Sequence, residues 1–263
     1  MITITKDIFR RCIKSSINTY NGEYGKVDNS IFEFTDTFKK DHVEGLWGIK
    51  DGILYIVYQG SKQLSDWLDN LKFKLVHMKA YVKTRKKTPY ADMNSNIEVH
   101  EGFIEQYHTI RETVHAILAE HYGKGIKDII AVGHSLGASL SQLMALDFQY
   151  NYRDKNNFGI LLNDITCINF GSPRVGNKYF VKSYNTRVPK SFRFVFEQDI
   201  VTTVPFASFG FGHTDKLMKI SKKKSVWQKI IRSYRYITRS TNNHYPDQYE
   251  IGIEECIPEE FSL

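Results

Sequence analysis

The chain has 263 residues, of which 41% are hydrophobic and 14% aromatic, enough to form the core of one large α/β domain. Its net charge is +7, but it has no zinc-finger spacing and no RNA-recognition motif, so we expect no nucleic-acid partner. The cysteines Cys12, Cys167 and Cys256 form neither a disulfide framework nor a metal-ligand spacing, and we expect no metal and no cofactor.

Targeting and membrane signals are missing from the sequence. The first twelve residues lack the apolar core of a signal peptide, and no apolar run is long enough to cross a bilayer. We therefore expect residues 1–263 to form one cytoplasmic domain. The basic charge leaves peripheral contact with an anionic membrane open.

The N-terminal third predicts two helices around a β-hairpin. Apolar residues recur at helical spacing over residues 7–20, and residues 43–49 and 53–58 are two strands joined by the turn Lys50–Asp51–Gly52. Residues 64–71 follow the second strand, with Leu64, Trp67 and Leu68 on one face of a short amphipathic helix. A basic segment at residues 72–87 then indicates either a solvated loop or a surface for anionic head groups.

The middle of the chain predicts a long helix over residues 102–122, with Phe103, Tyr107 and Val114 on its inner face. Its three histidines, at positions 108, 115 and 121, are expected at the surface. A helix over residues 226–237 is predicted near the C-terminus, either packed on the domain or lying on a membrane.

A buried strand, a tight turn and a helix surround Ser135. The apolar run 129–132 leads into Ser135, which stands between Gly133 and Gly137, and helix-forming residues follow. This is the context of a nucleophile elbow, in which the glycines let strand and helix approach closely. The backbone N–H of Leu136, beside the serine, is then expected to stabilise an oxyanion.

A serine nucleophile needs a histidine base and a carboxylate that orients it. Asp199 follows the predicted strand 192–196 and so lies at the sheet edge where catalytic residues collect, whereas Asp164 and Asp215 are placed less favourably. His213 and His244 both lie downstream of Asp199, and the residues alone leave the choice between them open.

Spaced motifs make the chain similar to the class 3 (fungal-type) lipases. The motifs are Tyr58–Ser61 with Asp66–Asp69, Val99–Phe103, Gly133–Gly137, Phe170–Asn177, Asp199–Pro205 and Phe209–His213. The resemblance implies an α/β-hydrolase fold, with a central mostly parallel sheet, helices on both faces and a short helical lid carrying Leu64, Trp67 and Leu68. It also implies that Ser61 is the second oxyanion donor and that His244, in the segment 242–249, is the base.

We therefore expect an acylglycerol lipase that uses Ser135, Asp199 and His244 on a lipid ester at a membrane or droplet interface. A phospholipase of the A1 type acting on anionic lipid is the first alternative, because of the basic segment and the positive net charge. A soluble esterase is the second alternative, and a non-catalytic lipase-like binding protein is the third.

Overall fold

The computed structural model of the protein describes residues 2–20, 30–69, 73–78, 90, 93–122, 124, 126, 128–154, 165–214, 216–222 and 241–263. The strands are β1 (Phe34–Lys40), β2 (Val43–Lys50), β3 (Ile53–Tyr58), β4 (Leu75–His77), β5 (Glu98–His100), β6 (Asp128–His134), β7 (Thr166–Phe170), β8 (Gly176–Asn177), β9 (Lys190–Phe196), β10 (Phe211–Gly212) and β11 (Leu217–Ile220). The helices are α1 (Lys6–Tyr20), α2 (Leu64–Asp69), α3 (Glu101–His121), α4 (Leu136–Phe148), α5 (Lys178–Arg187) and α6 (Pro246–Cys256).

A seven-stranded sheet in the order β1-β2-β3-β6-β7-β9-β11 forms the centre of the fold. The first three strands are an antiparallel meander, and every pair from β3 to β11 is parallel. Parallel strands need both faces covered, which explains the continuous apolar runs of β3 and β6. The carboxyl ends of the parallel strands therefore meet at one edge of the sheet.

Two hydrophobic layers lie on opposite faces of this sheet. Ile56 of β3 and Ala131 of β6 pack into the layer covered by α3 and α4. Their neighbours Val57 and Val132 belong to the other layer, which α1 and α6 cover. The alternation of side chains along each strand thus builds both cores, and the predicted α/β-hydrolase architecture is confirmed.

A second, four-stranded sheet in the order β10-β8-β5-β4 was not predicted from the sequence. Its strands have only two or three residues each, too few to show an alternating pattern. Strand β1 was also missed, because polar and charged residues dominate it and only Phe38 is buried.

The elements that were predicted agree with the structure to within a few residues at their ends. Helices α5 and α6 and strand β11 were not predicted from the sequence. The hairpin turn contains Asp51 and Gly52 with φ of 54° and 71°, as a two-residue turn between twisted strands requires. The predicted helix 226–237 lies outside the described residues, as do residue 72 and residues 79–87 of the basic segment. Within the described part of the chain, no helix is long and apolar enough to cross a membrane.

One prediction about α3 is wrong, because His115 is buried rather than exposed. Its Nε2 lies 2.8 Å from Oδ2 of Asp147 in α4, and its Nδ1 lies 2.7 Å from the hydroxyl of Tyr152. The periodicity of α3 could not reveal this, because the acceptor that makes burial of the imidazole favourable belongs to another helix.

Candidate active site

Ser135 occupies a sharp turn between β6 and α4. Its φ of 59° and ψ of −128° lie outside the regions that non-glycine residues prefer, so the surrounding structure must hold the backbone in this form. Its N–H donates to the carbonyl of Phe170 at 3.0 Å, which ties the turn to the neighbouring strand β7. The turn places the serine side chain at the N-terminus of α4, as the sequence predicts.

The glycines on either side of Ser135 are required by close backbone contacts. A Cβ at Gly133 would overlap the carbonyl group of Gly137, and a Cβ at Gly137 would overlap the carbonyl oxygen of Tyr58. The backbone of β6 therefore lies against α4, and α4 lies against the end of β3, too closely for a side chain at either glycine position. This packing is the physical basis of the G-x-S-x-G spacing.

Asp199 and His244 form a buried pair. Nδ1 of His244 lies 2.7 Å from Oδ2 of Asp199, and the two residues are 3% and 1% exposed. Asp199 stands in the loop after β9, and His244 ends the short 3₁₀ helix Thr241–His244 that precedes α6. Because a carboxylate only accepts hydrogen bonds, the proton of this contact belongs to Nδ1 of the histidine.

Two atoms that the sequence predicts to take part in catalysis are left without a partner. Within the described part of the chain, the buried Oγ of Ser135 and the buried Nε2 of His244 have no hydrogen bond. With Nδ1 protonated, Nε2 of a neutral imidazole carries a lone pair and can take a proton. The ring of His134, the residue before the serine, lies 4.5 Å from the ring of His244, which places the imidazole beside the elbow.

His213, the alternative base, belongs to a different arrangement. Its Nε2 lies 2.6 Å from the carbonyl oxygen of Thr202, to which it donates. Burial and the nearby charges of Arg193 and Arg174 lower the pKa of His213 to about 3. The structure therefore pairs Asp199 with His244. His213 instead holds the loop after Asp199 through its hydrogen bond to Thr202.

A cavity of about 530 Å³ adjoins the elbow and contains both residues expected to stabilise an oxyanion. Leu136 is the first residue of α4, so its N–H has no acceptor within the helix. Ser61 lies in the turn after β3, and its hydroxyl donates to the carbonyl of Gln63 at 3.2 Å. Thus Leu136 and Ser61 line the same cavity.

The predicted lid segment follows this turn directly. Helix α2 covers Leu64–Asp69, and the side chains of Leu64 and Leu68 are half-buried. The side chain of Trp67 lies outside the described part of the structure. The helical assignment of the segment is confirmed, and its movement as a lid stays a prediction.

Three residues that contribute to the site were missed at the level of sequence. Tyr249 donates to Oδ2 of Asp199 at 2.6 Å, and His134 connects Tyr20 with the backbone of His244. No helix was predicted over the residues of α6, and nothing in the sequence shows that the hydroxyl of Tyr249 reaches Asp199. Among the residues that the structure describes, no cluster of histidine, cysteine and carboxylate groups could hold a metal ion.

The sheet order and the serine at the strand–helix turn define an α/β-hydrolase with a nucleophile elbow. Residues 55–209, more than half of the chain, match the family model described as lipase (class 3). The chain belongs to the class 3 lipase family, as its motifs predict.

Curated relatives include phospholipase A(1) DAD1, chloroplastic, from Arabidopsis thaliana, 31% identical over 157 residues, which cover 57% of this chain and 33% of the relative. A lipase from Rhizomucor miehei is 30% identical over 168 residues, 63% of this chain and 41% of the relative. The chain therefore aligns with well under half the length of these relatives.

Solved structures share the fold more completely. The triacylglyceride lipase of Rhizomucor miehei superimposes with a TM-score of 0.69 at 21% identity, covering 96% of this chain and 97% of the other. A triacylglycerol lipase whose catalytic centre is formed by a serine protease triad gives a TM-score of 0.67 at 22% identity, covering 92% and 95%. At this identity the likeness establishes the fold.

Proposed function

We propose that this protein is a serine hydrolase of lipid carboxylic esters. The observation that carries the proposal is the buried Asp199–His244 pair at the elbow, with Nε2 of His244 and Oγ of Ser135 both free to react. Acyl transfer through a covalent intermediate requires a hydroxyl nucleophile, an imidazole that takes its proton and a carboxylate that orients the imidazole.

In the proposed reaction, Oγ of Ser135 attacks the ester carbonyl carbon while Nε2 of His244 takes the hydroxyl proton. The tetrahedral oxyanion accepts hydrogen bonds from the backbone N–H groups of Leu136 and Ser61. When the intermediate collapses, the bond from the carbonyl carbon to the alkoxy oxygen breaks and His244 gives its proton to the departing alcohol. Water then attacks the acyl-serine with His244 as base, which releases the carboxylic acid and restores Ser135.

Two features favour charge development in this reaction. The carboxylate of Asp199 faces the imidazolium that forms on His244 in each half-reaction. Because both residues are buried, water screens the attraction between their charges only weakly. The N-terminus of α4 points its free N–H groups and the positive end of its dipole at the developing oxyanion. Both groups are in place before the reaction begins, so little reorganisation is needed.

The choice of a lipid ester is supported by the relatives named lipase and phospholipase A(1). In water, α2 covers the site with its apolar face, and at a lipid surface it turns this face, including Leu64 and Leu68, outward into the interface. The free energy of this change comes from apolar area transferred from protein to lipid. A soluble esterase, by contrast, would show no rate increase when its substrate aggregates.

The test is Ser135→Ala, assayed with a short-chain ester below and above its aggregation concentration. We expect kcat to fall by about four orders of magnitude or more, because the nucleophile is gone. An organophosphonate should label the wild type at Ser135 and leave the variant unlabelled. Ser139→Ala is the matched control, since Ser139 is a buried serine one turn further along α4. Wild-type activity in Ser135→Ala would overturn the proposal.

A phospholipid is a second candidate substrate, and the lining of the cavity favours it. Lys62 lies at the cavity and forms an ion pair of 2.8 Å with Glu44, which also pairs with Lys39 at 3.2 Å. Two lysines share one buried carboxylate, so this cluster keeps one positive charge that an anionic head group could approach. His42, Gln63 and Gln106 add polar groups around it.

We expect Lys62→Gln to lower hydrolysis of anionic phospholipid relative to diacylglycerol by about three- to tenfold, and the effect should weaken in high salt. Vesicles of phosphatidylglycerol and emulsions of diacylglycerol provide the two substrates. Lys50→Gln is the control, because Lys50 is a lysine paired with Glu33 at 3.1 Å and lies at the hairpin turn, at the other end of β3 from the cavity. An unchanged ratio would favour acylglycerol as the substrate.

A further inference from the structure

His134 connects the residue before the nucleophile to the backbone of the base. Its side chain is buried, with Nε2 2.6 Å from the carbonyl oxygen of His244 and Nδ1 2.8 Å from the hydroxyl of Tyr20. A carbonyl oxygen only accepts, so Nε2 carries the proton of this hydrogen bond. Burial and the neighbouring His244 hold the pKa of His134 well below its usual range, so the ring is neutral. Nδ1 is therefore an acceptor, and Tyr20 donates to it.

Tyr20 connects the same chain of hydrogen bonds to the turn that carries Ser61. Its hydroxyl lies so close to Gly60 that a Cβ at Gly60 would overlap it. The hydroxyl of Tyr20 therefore contacts the backbone of Gly60, while its O–H donates to His134. The series thus begins with the contact between Gly60 and Tyr20. Tyr20 then donates to His134, and His134 donates to the carbonyl of His244.

The positions of these four residues relate them directly to the proposed chemistry. Gly60 precedes Ser61, His134 precedes Ser135, and the carbonyl at the end of the series belongs to His244 itself. Tyr20 is the last residue of α1, so the C-terminal end of this helix is brought to the elbow. One series of contacts and hydrogen bonds therefore joins the three backbone segments that must keep a fixed geometry during acyl transfer.

We propose that Tyr20 and His134 are positioning residues, which set the distances from Ser135 to the base His244 and to the oxyanion turn at Ser61. The inference rests on the proposed ester hydrolysis. Neither side chain needs to touch substrate, and each acts through the backbone group that it holds. Displacement of a reacting group by about 1 Å can lower a rate about a hundredfold, so loss of this series should reduce kcat more than it changes substrate binding.

The variants Tyr20→Phe and His134→Leu remove the hydrogen bonds and keep apolar volume, whereas His134→Gln retains a donor that can reach the carbonyl of His244. With a monomeric short-chain ester we expect kcat to fall about 10- to 100-fold in Tyr20→Phe and His134→Leu, with KM within about twofold. We expect His134→Gln to recover most of this loss. The rate of phosphonate labelling of Ser135 should follow kcat.

Tyr55→Phe is the matched control. The hydroxyl of the buried Tyr55, on strand β3, also accepts a hydrogen bond from a residue of α1, Arg11, at 2.9 Å, but it is not part of this series. It should leave kcat unchanged. Wild-type kcat and labelling in folded Tyr20→Phe, or equal losses in His134→Leu and His134→Gln, would overturn the inference.

NMR of the histidine ring nitrogens separates this inference from the proposed function. We expect His134 to be protonated at Nε2 and unprotonated at Nδ1 in the wild type, and the Nδ1 resonance to shift in Tyr20→Phe. A proton on Nδ1 of His134 in the wild type would contradict the hydrogen-bond series even if Ser135 is essential. Retained activity in Ser135→Ala would instead contradict the proposed function.

Discussion

Tyr249 donates a hydrogen bond of 2.6 Å to Oδ2 of Asp199, the same oxygen that faces Nδ1 of His244 at 2.7 Å. The other carboxylate oxygen accepts the N–H of Val201 at 2.8 Å. Three donors therefore hold the carboxylate from different directions. Tyr249 lies in α6, five residues after His244. One short segment therefore supplies both the imidazole and the phenol that holds the carboxylate of Asp199.

We predict that Tyr249→Phe lowers kcat about tenfold to a hundredfold. A hydrogen bond to a charged group contributes about 1.5–3 kcal/mol, and its loss lets the carboxylate turn away from His244. Steady-state kinetics with a monomeric ester measures the effect, and thermal unfolding checks that the protein is folded. Tyr245→Phe removes an exposed phenol from the same segment and should change nothing. Equal activity of Tyr249→Phe and the wild type would show that Val201 and His244 hold Asp199 in place without Tyr249.

Gly171 packs directly against the Asp199–His244 pair. It has φ of 59°, and a Cβ there would lie 2.8 Å from Oδ2 of Asp199 and 2.9 Å from Nδ1 of His244. We predict that Gly171→Ala abolishes most activity, because the methyl group must separate or displace the two side chains. The measurement is the rate of ester hydrolysis at matched folded fraction.

Gly210→Ala distinguishes this effect from backbone strain. Gly210 also has positive φ, 87°, but its added Cβ would meet only Cδ1 of Leu75, at 3.6 Å. Both substitutions should lower the free energy of unfolding by about 1–3 kcal/mol. Only Gly171→Ala should lose activity beyond what this loss of stability explains. Parallel losses in both variants would mean that strain, not contact with the pair, is responsible.

His213 makes stability depend on pH. Its pKa in the folded protein is lowered to about 3, so below pH 6.5 the unfolded chain binds a proton that the folded protein does not. The free energy of unfolding therefore falls as the pH decreases through this range. We predict that His213→Gln, which keeps a donor for the carbonyl of Thr202, reduces the slope by about 1.4 kcal/mol per pH unit between about pH 6 and 4.

Urea denaturation at a series of pH values measures this slope. His77→Gln is the control, since His77 lies in the short strand β4 with its side chain exposed. It should leave the slope as in the wild type. An unchanged slope in His213→Gln would contradict the expected titration.

Asp147 anchors a buried polar cluster far from the elbow. Its carboxylate contacts Nε of Arg111 at 2.7 Å and Nε2 of His115 at 2.8 Å, and it accepts hydrogen bonds from Tyr107 and Asn151. Burial opposes ionisation, but Arg111 and His115 together hold the pKa of Asp147 well below its usual range. Eleven residues of α4 separate Leu136 from Asp147, roughly 16 Å along the helix.

We predict that Asp147→Asn lowers the free energy of unfolding by about 3–5 kcal/mol, because Arg111 is left half-buried without its anion. Where the variant is folded, kcat should stay within about threefold of the wild type, since the elbow is distant. Urea denaturation and ester hydrolysis at low temperature measure the two quantities. Glu101→Gln, which breaks the exposed pair with Lys74, should cost less than about 1 kcal/mol. A similar small cost in Asp147→Asn would contradict the prediction.

Local patterns were sufficient to predict the elbow and most of the sheet. The apolar runs of β3 and β6 are buried on both sides in the structure, and the glycines around Ser135 have the close contacts that their spacing indicates. The extended motifs also indicated Asp199 and His244, 45 residues apart, and the structure places them in contact. The short strands β4, β5, β8 and β10 were not predictable, because two or three residues carry no periodic signal.

The sequence by itself determined where Ser135 turns the chain, since steric limits and side-chain periodicity act over a few neighbouring residues. The motifs implied His244 as the base, but only the tertiary structure shows that it contacts Asp199 while His213 bonds the carbonyl of Thr202. Only the tertiary structure also shows the polar partners of the half-buried Tyr20 and of the buried Tyr249 and His115. Each of these partners comes from a distant segment, brought near by the order of the parallel strands and the helices packed on them. Burial of a polar side chain is favourable only where a hydrogen-bond partner is present, and here that partner is distant in the sequence.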